Sequence, residues 1–108
     1  MQLATTFRAL ERAEVKTATR ALERSMGRLE RLAEEPATLR AVVEGGPPEC
    51  KVTLVLAYRD VELTAQSSGH EVVSAVHIAA ERLRVQLNRR SERRQSQRYR
   101  SAVKIEAA

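Results

Sequence analysis

Apolar and polar positions along the chain follow two periods in turn. Leu3, Thr5 and Phe7 alternate with Gln2, Ala4 and Thr6, the two-residue period of a strand with one covered face. From about Arg12 to Glu34 the period lengthens. Val15, Ala18, Leu22, Met26, Leu29 and Ala33 then recur at steps of three and four, which places them on one face of a helix. Pro36 is expected to stop that helix, because the residue before a proline is pushed out of α geometry.

Alternation returns in TLRAVVE (38–44) with Leu39, Ala41 and Val43, and GGPP (45–48) breaks it. CKVTLVLA (50–57) is rich in β-branched residues and too short for a stable helix, so it reads as a strand. YRD (58–60) is a tight connection to VELTAQ (61–66), where Val61, Leu63 and Ala65 alternate again. Ser68 with Glu71 three residues later predicts a capping box. Val72, Val76, Ala79, Ala80, Leu83 and Leu87 form the apolar stripe of the second helix it would open.

The expected order is β-α-β-β-β-α, an α+β fold of two layers: a four-stranded sheet with two helices on one face. Leu39, Val43, Val52, Leu54, Leu56 and Leu63 would form the covered side of the sheet. The strand–helix–strand unit predicts a right-handed crossover that leaves the first two strands parallel. Residues 1–88 are expected to form one domain, and residues 89–108 a basic helical extension and tail.

Charge changes this picture at one end. The chain carries +5 in total, yet residues 82–104 hold nine Lys/Arg and one acid, whereas residues 1–81 hold ten against twelve acids. Eight of those nine are Arg, the better fork for phosphate, so the local excess points to a polyanion rather than to a solubility tail, an acidic protein or a membrane surface. Arg82, Gln86, Arg89 and Arg93 share a flank of the second helix, and Arg90 and Arg94 continue the line of Leu83 and Leu87 past the point where the sheet ends. On the first helix Lys16, Arg20, Arg24, Arg28 and Arg31 lie opposite the apolar stripe. Glu23 and Glu30 interleave with that row and offer some of its arginines exposed pairs worth a few tenths of a kcal/mol.

Catalytic and metal chemistry find no constellation. His70 and His77 have Glu81 one turn beyond but no third ligand, so a solvated helix pair is expected. Cys50 opens a strand without a basic neighbour to activate it and reads as a small core residue; a lone cysteine also forms no internal disulfide. EGGPPE lacks the N–H donors of a phosphate loop. No enzyme activity, cofactor or metal is expected. With no apolar run of the ~20 residues a membrane helix needs and no leader-like start, a cytoplasmic protein without a membrane partner is expected. Phe7, Tyr58 and Tyr99 are the only aromatics, too few for a base-stacking platform, so helices laying phosphate contacts on structured RNA fit better.

Several stretches resemble the ribosome hibernation-promoting factor and ribosome-associated inhibitor family. TFRALE (6–11) is similar to that family's first strand and turn, GRLERL (27–32) to the end of its first helix, and GHEVVSAVHIAAERLRVQLNRR (69–90) to its second helix. The resemblance spans roughly residues 2–95. It departs at Val72-Val73, where the family has a tyrosine, and at YRD, where the family has a glycine-bearing turn. It implies a shape like that of double-stranded-RNA-binding domains, and a partner in the small ribosomal subunit and its RNA. It further implies a function of silencing translation by blocking the messenger and transfer RNA channel. Lys16, Arg20, Arg24, Arg28, Arg31, Arg82, Arg89, Arg90, Arg93 and Arg94 would be the RNA-facing positions, with the basic tail frayed when free and ordered on RNA. The short form it implies lacks the dimerisation module of long members and is expected to be a monomer. Two other readings compete: a general structured-RNA-binding module, and a protein-interaction domain using Ile78 and Val85 on the outer side of the second helix.

Overall fold

A computed structural model describes the backbone of residues 1–46 and 48–107, and side chains as far as residue 90 apart from Pro47. The elements are β1 (Gln2–Arg8), α1 (Arg12–Leu29), β2 (Ala37–Glu44), β3 (Cys50–Tyr58), β4 (Val61–Gly69) and α2 (Val72–Ala107). The α+β order β-α-β-β-β-α is therefore the one expected. The strands form one sheet in the order β1-β2-β3-β4, with β1 parallel to β2 and the other two pairings antiparallel.

Register follows from the tightest connection. Tyr58 pairs with Val61 across the two-residue loop Arg59-Asp60, and Arg59 takes the positive φ of 52° that such hairpins need at their first loop position. Counting outward from that pair sets Leu56 opposite Leu63, Leu54 opposite Ala65 and Cys50 opposite Gly69. The strand therefore runs three residues beyond Gln66, and Ser68 sits in the ladder opposite Lys51. The expected capping box at Ser68 is not formed. Instead α2 begins at Val72, with the Glu71 carbonyl accepting the Ala75 N–H at 3.1 Å. Ser67, on the covered face, donates its hydroxyl to the Ala75 carbonyl and ties the strand to the first turns of the helix.

One end of α1 also differs from expectation. The Glu11 N–H donates to Glu14 Oε1 at 3.4 Å at its start, but the helix ends at Leu29 rather than near Glu34. The Leu29 carbonyl accepts both the Leu32 and Ala33 N–H groups, so two tight turns follow and bring Ala33 back into the core while Leu32 is exposed. Glu35 then accepts the Ala37 N–H at 3.2 Å and the terminal amine of Met1 at 2.8 Å, aligning β2 beside β1.

The core lies between the sheet and both helices. Leu39, Val43, Val52, Leu54 and Leu56 are essentially inaccessible, facing Leu22 and Leu29 of α1 and Val76, Leu83 and Leu87 of α2. Leu63 is half-buried against the same cluster, and Cys50 is a buried free thiol. On α1 the buried set is Ala18, Ala21, Leu22, Ser25 and Leu29, with Val15 and Met26 half-buried, so the helix leans its small residues towards α2. α2 covers β3 and β4, and α1 lies beside it towards β1 and β2.

Candidate RNA-binding surface on the helices

With both helices on one face, their outward sides form a single surface. Lys16, Arg20, Arg24 and Arg28 step along α1 at every fourth residue, all exposed, over a row of about 18 Å. None of them takes part in an ion pair among the described residues. The acids pair elsewhere: Glu30 and Glu35 with the terminal amine, Glu34 with Arg59, Glu44 with Arg8 and Glu62 with Arg40. The exposed i,i+3 and i,i+4 pairs considered for Glu23 and Glu30 with α1 arginines are not among them. Arg31, expected in the same row, lies exposed in the turns after the helix ends.

On α2 the expected residues separate into different roles. Arg82 donates a guanidinium N–H to the Gln66 carbonyl, and Gln86 donates to the Thr64 carbonyl at 3.0 Å. β4 is an edge strand, so these two side chains cover carbonyls that would otherwise offer a pairing template. Arg89 and Arg90 are exposed, and neither is in an ion pair among the described residues, although Arg90 follows the line of the buried Leu83 and Leu87; the helix has passed the last covered row of the sheet. The side chains of Arg93, Arg94 and Tyr99 lie outside the described residues.

Periodicity alone overlooked one residue. Arg84 forks onto Glu81, with Nε donating to Oε2 at 2.9 Å and a terminal N–H to Oε1. That fork, together with the positive charges of Arg84 and Arg28, holds the Glu81 carboxyl below its ordinary value and raises Arg84 above its own. Glu81 is thus matched to Arg84 rather than to His77, and Arg28 brings the α1 row to the same place. Residues three apart on one helix are neighbours, so the Glu81–Arg84 spacing was the available signal.

The other face of the sheet is uncovered and differs in chemistry. Cross-strand rows such as Thr6–Val42–Thr53–Gln66 and Arg8–Glu44–Lys51–Ser68 mix threonines, small apolar residues and both charges. Phe7 and Tyr58 point to the core side, so no aromatic ring among the described residues lies on the open face. Ile78 is 43% exposed and borders, with Arg82 and Lys51, a groove of about 500 Å³ that bends around the β4 edge. Among the described residues no three or more His, Cys, Asp or Glu side chains are grouped to hold a metal, and no helix is long and apolar enough to cross a membrane.

No family model matches the chain, and no curated protein matches it by sequence. Solved structures do. The N-terminal domain of Protein Y from Thermus thermophilus superimposes with a TM-score of 0.71 at 16% identity, covering 82% of this chain and 98% of that one. A ribosomal subunit interface protein from Coxiella burnetii gives 0.63 at 12% identity, covering 85% and 99%. The likeness is one of fold. At these identities it carries no residue-by-residue correspondence, so the basic surface stands on its own geometry.

Proposed function

We propose that this chain binds the ribosome, laying its basic helical surface on RNA of the small subunit and obstructing the channel used by messenger and transfer RNA. The observation that supports this most is the exposed row Lys16, Arg20, Arg24 and Arg28, in no ion pair among the described residues and continued by Arg89 and Arg90, on a fold shared with ribosomal subunit interface proteins. An exposed row of cations costs self-repulsion in the free protein, and phosphates would relieve it. The open sheet face offers no rings for single-strand stacking, which favours shape and phosphate recognition of folded RNA by the helices. On this reading the protein works in the cytoplasm, as a monomer and by occupancy alone, with no reaction catalysed and no cofactor. Arg93 and Arg94 would extend the contact along the C-terminal part of α2.

Cell-free translation tests this directly. Protein in excess over ribosomes should stop synthesis, and Lys16/Arg20/Arg24/Arg28→Ala should restore it while melting like the wild type. Full inhibition by that variant would refute the reading. One observation favours a second reading, a protein-interaction domain: the exposed Ile78 beside the β4-edge groove. In that case Ile78→Asp would abolish partner binding and the arginine substitutions would not.

A further inference from the structure

At the crossing of α1 and α2 a small notch is lined by Ser25, Arg28, His77, Glu81 and Arg84, above Leu29 and Ala80. Ser25 is the only buried polar residue of the core among those described, 3% exposed. Other hydroxyls of α1 are satisfied within the helix: Thr17 donates to the Ala13 carbonyl at 3.0 Å and Thr19 to the Val15 carbonyl at 2.8 Å. Ser25 makes no such bond, and its side chain has no hydrogen-bond partner among the described residues although it lines the notch. Its hydroxyl therefore opens onto the notch, where an entering group can meet it. The space is about 30 Å³, enough for a water-sized group, so an oxygen of a larger group can enter it.

The groups around that space are a guanidinium from each helix and an imidazole. Such a set selects an anion, and forked guanidinium contacts suit phosphate and carboxylate equally well. A carboxylate already occupies the fork, since Glu81 takes both arms of Arg84. We propose that this notch is a phosphate subsite of the RNA-binding surface, and that Glu81 is its built-in competitor, standing where a phosphodiester oxygen binds. The proposal rests on the RNA-binding reading above. Binding would turn Glu81 outwards and hand Arg84, Arg28 and the Ser25 hydroxyl to the phosphate. Glu81 thereby weakens attachment and makes release easier, a setting suited to a factor that must leave its site.

The test compares wild type, Glu81→Gln and Glu62→Gln; the last removes the same charge from the open sheet face, where Glu62 meets Arg40 at 3.8 Å. Binding of a labelled blunt RNA duplex is measured by anisotropy, and inorganic phosphate is titrated in parallel by NMR. Glu81→Gln should bind the duplex about fivefold more tightly, from loss of one like charge at contact distance. Glu62→Gln should change it by less than about twofold, being screened on the far side. Phosphate should shift the Ser25 amide and Arg84 side-chain resonances of Glu81→Gln. Equal effects of the two substitutions, or phosphate shifts spread over the surface without Ser25 and Arg84, would overturn the notch. If no form binds duplex while phosphate still moves Ser25 and Arg84 in Glu81→Gln, the subsite stands and the RNA reading falls instead.

Discussion

Gly45 is held between the β1–α1 turn and β2, and an added methyl group there has nowhere to go. A Cβ at Gly45 would lie 2.4 Å from the Ala9 carbonyl oxygen and 2.6 Å from Leu10 Cδ2. The first contact is with backbone, which cannot swing aside as a side chain can. Ala9 itself has φ 55°, in the left-handed region, so its carbonyl is fixed by a sharp turn. The Gly45 N–H donates to the Arg8 carbonyl at 2.8 Å, and moving the strands apart to relieve the clash breaks that bond. Overpacking of this kind costs about 1–3 kcal/mol and the hydrogen bond about 1 kcal/mol, so Gly45→Ala should destabilise by about 2–4 kcal/mol. For a domain of this size the melting temperature should fall on the order of 10–20 °C. The same chemical change at Gly27 has the opposite sign. Nothing lies within 4 Å of its Cβ position and it sits in α1, so Gly27→Ala should stabilise by about 0.5–1 kcal/mol. Calorimetric melts of the three proteins decide the matter. A Gly45→Ala protein melting within about 2 °C of wild type, well under the shift expected for even 1 kcal/mol, would refute the packing at this turn.

Arg82→Ala should destabilise by about 0.5–1.5 kcal/mol, because the Gln66 carbonyl loses its donor at the sheet edge. The same variant should weaken RNA binding less than Arg89→Ala does, and filter binding of the two separates an edge-covering arginine from an RNA-facing one. Glu81 supplies a pH prediction. Its folded pKa is depressed below the ordinary 4.5 by the Arg84 fork, so the stability it contributes is present above that value and lost as pH falls through the lower folded one. A carbon-detected NMR titration should give a Glu81 midpoint below 4.5 that rises in Arg84→Gln; a midpoint indifferent to that substitution would contradict the fork.

Periodicity and turn chemistry made the element order legible, because each strand carries alternating residues and each helix a stripe that the other layer buries. What they did not show was set by distant geometry. Ser68 looked like a helix cap, yet the Arg59-Asp60 hairpin fixed a register that carries β4 to Gly69 and leaves Ser68 in the ladder. Ala33 keeps its place in the apolar series but reaches the core through turns, since the chain has to reverse before β2. Arg82 sat on a basic flank by helical angle, and only the sheet order reveals that this flank overlooks the β4 edge. Ser25 gave no signal at all, because a serine in a helix gains meaning only from what crosses it. The exposed row on α1 was readable for a simpler reason: an opposite face needs no partner to be predicted.

The proposed function depends on attachment of the helical basic surface to the small ribosomal subunit. Sedimentation with separated small and large subunits, at low and raised salt, tests it beside Lys16/Arg20/Arg24/Arg28→Ala and Arg89/Arg90/Arg93/Arg94→Ala. If about six cations neutralise phosphates, affinity should fall by orders of magnitude over a few-fold rise in salt. Stoichiometric, salt-sensitive pelleting with the small subunit alone, lost in both variants, is the expected result. Pelleting with neither subunit at low salt, or undiminished pelleting of both variants, would rule out ribosome attachment through these helices.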